Sequence, residues 1–225
     1  MSRQSSDELK RLASLMERQG ERVLHQVTTA CRALSGLPHD LADPSGLEHD
    51  IDREEVVLEE ECLRIMALHH PIGSELRALV TVLRANGDLE RIADHAFSIL
   101  EVSSRLGDVP DTSPLALLSV RVLVVLGRVL AALRDRDPRV SQSVLDEGPA
   151  LRSLHEAAAK SARTVAGSGV AADIDRAFLQ ARVALDLVRM GDLACNLAED
   201  VLYWEEGRIV RHAGTPVGAP SRPVD

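Results

Sequence analysis

The sequence predicts an all-α protein built from two tandem antiparallel three-helix bundles. The chain of 225 residues is 45% hydrophobic but only 2% aromatic, so aliphatic side chains must fill its core, which favours helices packed on helices. Apolar residues recur at helical spacing between Gly- and Pro-containing breaks, and no strand-like alternation is sustained. Finally, residues 88–101, "DLERIADHAFSILE", recur as residues 186–199, "DLVRMGDLACNLAE", with six of fourteen positions identical. Such a repeat indicates an internal duplication.

The breaks divide the chain into six predicted helices. They span residues 6–35, 46–69, 72–106, 114–135, 139–166 and 171–206. The fourth has a typical helix start, because "TSP" at residues 112–114 offers a capping hydroxyl ahead of a first-turn proline. We therefore expect a first bundle over residues 1–106 and a second over 112–212. The Pro- and Gly-rich residues 213–225 are expected to form a disordered tail.

The most apolar stretch, residues 115–133, has nearly the length of a membrane span. It contains Arg121 and Arg128, seven residues apart and therefore on one helix face. A central arginine costs roughly 2.5–3.5 kcal/mol on membrane-insertion scales. We interpret the stretch as a buried helix with a charged outer stripe, and predict that the chain does not span a membrane.

Charge and cysteine content restrict the function classes. The net charge of −9 and the scarcity of aromatic rings argue against binding to nucleic acid. Cys31, Cys62 and Cys195 are widely separated, which indicates reduced thiols in a cytosolic protein, or small core residues, rather than a disulfide framework or a zinc site. The first residues, "MSRQSSDELKRL", lack the apolar region of a signal peptide. These features predict a cytoplasmic protein.

The first copy of the repeated segment carries an acidic helix face. Glu90, Asp94 and Glu101 fall within about 40° of one another around a helix, away from the apolar side. If the second and third helices pair from a turn near residues 70–71, equal rise places residue i across from about 141 − i. Glu90 and Asp94 then lie at the height of four acids, Glu48, Asp50, Asp52 and Glu54.

These carboxylates form a candidate cation site. Oxygen ligands suit hard or borderline ions such as Mg, Mn, Fe or Zn. The candidate ligands in this half are Asp50, Asp52, Glu90 and Asp94. An alternative of equal weight is a solvated acidic face balanced by arginines.

The second half predicts a weaker copy of the site. With a turn near residues 167–169, Asp192 lies across from about residue 145, beside Asp146. Val188 stands where the first copy has Glu90, so one acid is missing. We therefore expect Asp146 and Asp192 to bind a cation less tightly than the first site does.

Two longer stretches resemble the PhoU family of phosphate-uptake regulators. Residues 67–96, "ALHHPIGSELRALVTVLRANGDLERIADHA", are similar to the family pattern "ALQ-P-A-DLR … DLERIGDHA". Residues 196–212, "NLAEDVLYWEEGRIVRH", are similar to its closing "NIAEDV-Y---GE-VRH". One departure is Glu75, where the family usually has Asp.

The resemblance implies a cytoplasmic accessory protein of two three-helix bundles. It implies that the protein dampens phosphate uptake and signalling by contacting the ATPase subunit of a phosphate ABC transporter and a membrane-bound sensor kinase. The family's E/DxxxD metal motif maps onto Glu90 and Asp94, whereas in the second half only Asp192 matches. The sequence leaves homodimer formation open.

Two other functions compete with a regulatory binding protein. One is a carboxylate-bridged di-metal enzyme or storage bundle, which needs Glu-x-x-His motifs that neither the third nor the sixth helix contains. The other is a helical adaptor that has lost metal binding. No P-loop, nucleophile elbow or hydrolase triad is recognisable, so the sequence predicts a protein that is not an enzyme.

Overall fold

The computed structural model describes residues 3–37, 44–107, 109–207 and 209. Within these residues the chain forms seven helices and no strand, which confirms the predicted all-α class. The helices are α1 (Arg3–Leu34), α2 (Pro44–His69), α3 (Ser74–Leu106), α4 (Pro114–Asp135), α5 (Pro138–Leu145), α6 (Gly148–Ala166) and α7 (Ala171–Glu206). The predicted tail at residues 213–225 lies outside the described residues.

The prediction of a single fifth helix over residues 139–166 is wrong. The chain breaks there into α5, which ends at Leu145, and α6, which begins at Gly148. Pro149 explains the break, because proline lacks a backbone N–H and its ring clashes with the carbonyl four residues earlier, that of Leu145. Asp137 caps the short α5 by accepting hydrogen bonds from the backbone N–H groups of Arg139 and Val140.

The helices pack as two groups around aliphatic side chains. Helices α1, α2 and α3 contact one another, and α7 contacts α4, α5 and α6 in the second group. The groups join mainly through α3 and α7, with a further contact between α1 and α4. The core side chains of both groups belong to one continuous apolar cluster, so the two halves share a common hydrophobic core.

Helices α3 and α7 run antiparallel, and the two copies of the repeated segment lie against each other. Near one end, the Arg77 Nε donates to the Trp204 carbonyl oxygen at 3.2 Å. Further along, the ring Nδ1 of His95 lies 3.1 Å from Asp186 Oδ1. These pairings set residues 77–95 of α3 alongside residues 186–204 of α7. The duplication therefore supplies the surface that joins the two halves.

Helix α4 is long and apolar enough to cross a membrane by length and composition alone. It nevertheless packs against α1, α5, α6 and α7, and half of its most apolar window is buried. Its two interior arginines both reach Glu147: Arg121 Nε donates to Oε2 at 2.9 Å and Arg128 Nη1 to Oε1 at 3.3 Å. The prediction of a buried helix therefore holds for one side of α4. Its outer side carries the two arginines together with exposed apolar side chains, those of Leu117, Val120 and Val124.

Candidate functional site

Five carboxylates from two neighbouring helices form an acidic cluster. They are Glu48, Asp52 and Glu55 of α2 with Glu90 and Asp94 of α3. The α2 members are spaced by four and three residues and the α3 members by four, so each set lies on one face of its helix. Antiparallel packing then brings the two faces together.

The alignment of α2 with α3 agrees with the one predicted from equal helical rise. Asn86 Nδ2 donates to the Glu55 carbonyl oxygen at 2.9 Å, and Glu48 shares a side-chain hydrogen bond with Asp94. The proximity of the Asp94 carboxylate across the two helices helps to raise the pKa of Glu48.

Not every predicted ligand belongs to the cluster. The structure brings together Asp52, Glu90 and Asp94, but Asp50 lies about 200° around α2 from Asp52. The Asp50 carboxylate is 3.4 Å from Arg53 Nη1, and its side chain is 53% exposed. Two other acids take its place. Glu48 was placed at the right height by the equal-rise alignment but was not among the predicted ligands, and Glu55 was not predicted at all. Their spacing of four and three residues from Asp52 could have identified both.

Burial and mutual repulsion disfavour charge on the cluster. Burial and the neighbouring Asp94 and Asp52 carboxylates together raise the pKa of Glu48 to about 7, although the hydrogen bond from Gln26 opposes them. Burial, again the largest cause, and the Asp94, Glu55 and Asp52 carboxylates together raise the pKa of Glu90 to about 7, with Arg91 opposing them. The cluster therefore carries less negative charge at neutral pH than its five acids suggest.

A buried glutamine from α1 supports the cluster from behind. Gln26 is fully buried, and its Nε2 donates to Glu48 Oε2 and, at 3.2 Å, to the Ala93 carbonyl oxygen. Its Oε1 is buried without a hydrogen-bond partner among the described residues. Burying an oxygen without a hydrogen bond costs free energy unless a donor group or a cation contacts it. Gln26 was not predicted as part of the site, because no local sequence pattern indicates that a glutamine of α1 contacts a carboxylate of α2.

The donor set suits a cation, but its present arrangement is not that of a closed metal site. The acidic cluster offers only oxygen atoms, which Mg²⁺, Mn²⁺ and other hard ions prefer. Among the residues that the structure describes, no group of three or more His, Cys, Asp or Glu is placed to hold a metal ion. The carboxylates would have to converge on an ion as it binds.

The corresponding acids of the second half have separate partners. Val188, in place of Glu90, is an apolar side chain that is only 7% exposed. The Asp192 carboxylate lies 3.8 Å from Arg152 Nη1, with its side chain 61% exposed. Asp146 is exposed and accepts a hydrogen bond from Gln142 at 3.3 Å. An arginine thus stands beside the one retained motif acid.

Comparisons with known proteins identify both halves. The model of the PhoU domain matches residues 16–103 and again residues 115–201. The chain is 30% identical to the phosphate-specific transport system accessory protein PhoU homolog of Deinococcus radiodurans, over 76% of this chain and 83% of that one. It is 29% identical to the homolog of Pseudomonas aeruginosa, over 95% of this chain and 90% of that one.

Solved structures share the architecture. The crystal structure of PhoU from Pseudomonas aeruginosa superposes with a TM-score of 0.79 at 26% identity, over 90% of this chain and 99% of that one. The phosphate transport system regulatory protein PhoU from Streptococcus pneumoniae, 21% identical, gives the same TM-score over 92% and 99% and shares the fold. With the repeated helical halves and two matches to the domain model, the chain belongs to the PhoU family.

Proposed function

We propose that this protein is a cytoplasmic negative regulator of phosphate uptake and of phosphate-starvation signalling. The observation that carries the proposal is the double PhoU match, which covers both halves of the chain. Relatives aligned over most of the chain are named accessory proteins of the phosphate-specific transport system. An accessory protein that contains no recognisable catalytic motif acts by contacting others.

The proposed partners are the ATPase subunit of the phosphate ABC transporter and a membrane-bound phosphate sensor kinase. Exposed apolar side chains at matching positions of the two repeats support protein contact. Ile72 and Leu76, around the start of α3, are 81% and 41% exposed; Val170 and Ile174, around the start of α7, are 55% and 47% exposed. Exposed apolar groups that recur in both repeats offer two related docking surfaces. A homodimer through one of them is compatible with the same surfaces.

We further infer that the acidic cluster binds a divalent or iron-type cation. Asp52, Glu90 and Asp94 are the predicted ligands that lie together, and Glu48 and Glu55 complete the set. A bound cation would neutralise the repulsion between α2 and α3 and so lock these helices. The ion is proposed as a structural or regulatory ligand, since the Glu-x-x-His pattern of di-metal oxidases is missing from α3 and α7.

Deleting the gene is expected to derepress phosphate-starvation genes in phosphate-rich medium, because the transporter and kinase then lose their negative regulator. Transcript levels of those genes measure the effect, and the wild-type gene supplied on a plasmid should restore repression. Unchanged expression, also when any paralogue is deleted, would contradict the proposed function.

Complementation can also test the docking surfaces. An Ile72→Glu, Ile174→Glu double variant should fold yet fail to restore repression, because both side chains are exposed and charge blocks apolar contact. Lys160→Glu, at another exposed position of the second half, is the matched control and should restore it. Equal repression by both variants would remove these surfaces from the mechanism.

A further inference from the structure

A polar cleft lies between α3 and α7, where the two copies of the repeated segment meet at the surface. It encloses about 580 Å³ and is lined by residues between 91 and 95 of α3 and between 189 and 196 of α7. Among these lining residues only Leu193 is apolar; the others carry charges or hydrogen-bonding groups. This cavity is termed the interrepeat cleft.

Two arginines that the duplication relates to each other stand on opposite sides of the interrepeat cleft. Arg91 and Arg189 occupy the same position of the two repeated segments. His95, four residues beyond Arg91, pairs with Asp186, three residues before Arg189, so the two arginines lie at nearly the same height of these antiparallel helices. Both side chains are exposed and line the same cavity. This arginine pair brings together two positive charges, which repel each other unless an anion lies between them.

The donor groups of the interrepeat cleft have unused capacity. Arg189 forms no ion pair or hydrogen bond with the residues that the structure describes. Arg91 is 3.5 Å from Asp88 of its own helix, a contact made by the single nitrogen Nη1. Asn196 is half-buried, and its side-chain amide has no hydrogen-bond partner in the described part of the chain. Two guanidinium groups and an amide can therefore donate to one ligand.

The two acids in the wall of the cleft have other partners. Asp192 lies 3.8 Å from Arg152 Nη1, and Asp94 shares a side-chain hydrogen bond with Glu48 of α2. Within the described residues neither acid forms an ion pair with the arginine pair. The acids of the wall therefore leave both arginines available to an anion.

The arrangement of the donors indicates the shape and charge of that anion. A guanidinium donates through a planar fork of N–H groups, which fits the oxygen atoms of carboxylate and phosphate groups. A carboxylate has two oxygen atoms in one plane and faces one such fork. A phosphate group presents oxygen atoms in several directions and can accept from two opposed arginines and an amide together. It also carries about −1.5 to −2 charges at pH 7, which matches two arginines.

We propose that the interrepeat cleft binds a phosphate group between Arg91 and Arg189, with Asn196 as a third donor. The bound anion links α3 to α7 and thereby the first half of the chain to the second. This ligand site goes beyond the regulatory role proposed above, which gives the protein only protein partners and a cation. Asp94 borders both the cleft and the acidic cluster, but the arginine pair holds the anion without a cation.

Calorimetric titration of the metal-free full chain with inorganic phosphate, at constant ionic strength, tests the proposal. Wild type should bind one phosphate saturably, and Arg91→Gln and Arg189→Gln should each weaken binding roughly tenfold or more, because each removes a charged donor. Arg105→Gln is the matched control: it removes the same charge at an exposed position about 21 Å further along α3, and it should keep wild-type affinity. All three side chains are exposed, so the variants should fold, which their melting temperatures check. Absence of saturable binding to wild type, or equal affinity in all three variants, would overturn the proposal.

Two further ligands test the chemistry of recognition. Glycerol phosphate, a phosphate monoester, separates the two sources of the group: binding comparable to that of inorganic phosphate shows that the cleft recognises a phosphoryl group on a carrier, and binding of inorganic phosphate alone shows that it recognises the free anion. Either result supports the proposal. Acetate should bind at least about tenfold more weakly, because a planar carboxylate cannot face both arginines. Acetate that binds as tightly as phosphate would show a site for any anion and overturn the assignment.

Discussion

Metal-free protein is expected to be more stable at about pH 5 than at about pH 8, owing to the acidic cluster. Glu48 and Glu90 have their pKa raised to about 7 from the usual value of 4.5. Between these two values the folded chain binds more protons than the unfolded chain, so the free energy of unfolding falls as the pH rises. Since both side chains are partly exposed and repulsion there is screened, we expect a combined loss of about 1–2 kcal/mol.

Denaturant unfolding at both pH values, with a chelator present, measures this effect. Glu48→Gln and Glu90→Gln hold the side chain neutral, so each should be more stable than wild type at the higher pH and should reduce the pH difference. Asp50→Asn is the matched control, because Asp50 pairs with Arg53 outside the cluster, and it should keep the wild-type difference. Identical pH dependence in all four proteins would show that repulsion in the cluster does not act on stability.

The acidic cluster also shows how far the sequence could predict the site. Equal rise along antiparallel helices predicts which residues share a height, and the Asn86–Glu55 hydrogen bond agrees with that alignment. Height does not determine which face of α2 turns towards α3. Asp50 and Asp52 have nearly the same height, yet only Asp52 faces Glu90. Tertiary packing of α1 fixes that rotation: Gln26 donates to Glu48, and Arg22 Nη1 donates to Glu54 Oε2 at 2.8 Å.

The fold was easier to predict than the site, because helical periodicity and an internal repeat can be read directly from the sequence. The break between α5 and α6, which was not predicted, could have been inferred from Pro149, since a proline there disrupts a continuous helix. The packing of one repeat on the other was not predicted. It depends on hydrogen bonds between distant residues, such as that from Ser98 Oγ to Asp186 Oδ2 at 3.0 Å, which no local pattern contains.

The loss of an acid at Val188 is explained by its surroundings. The side chain is 7% exposed, and the remaining motif acid, Asp192, lies beside Arg152. A carboxylate at position 188 would therefore be buried without a cation of its own. The two halves therefore differ. In the first half Glu90 faces other carboxylates, whereas in the second half Arg152 lies beside Asp192.

Glu90→Val, which copies that natural change, is expected to weaken cation binding while leaving the metal-free protein equally or more stable. The substitution removes one ligand from the acidic cluster and also removes a carboxylate whose charge is disfavoured there. A cation that binds the folded chain stabilises it by about 2.7 kcal/mol at one hundred times its dissociation constant. The rise in melting temperature on adding metal should therefore be large in wild type and small in the variant.

Val188→Glu is expected to destabilise the protein and not to create a second cation site. Because it buries a carboxylate with no partner, it should lower the free energy of unfolding by about 1–3 kcal/mol. It should not increase the response to metal, since Asp192 faces Arg152 and Asp146 accepts a hydrogen bond from Gln142.

Thermal melting of wild type and both variants, with and without Mg²⁺, Mn²⁺, Fe²⁺ or Zn²⁺, measures these effects. Asp50→Asn is the control and should keep the wild-type response. If no ion shifts the melting temperature of wild type, the cluster is a partly protonated acidic face, and the assignment of a cation to Asp52, Glu90 and Asp94 is wrong.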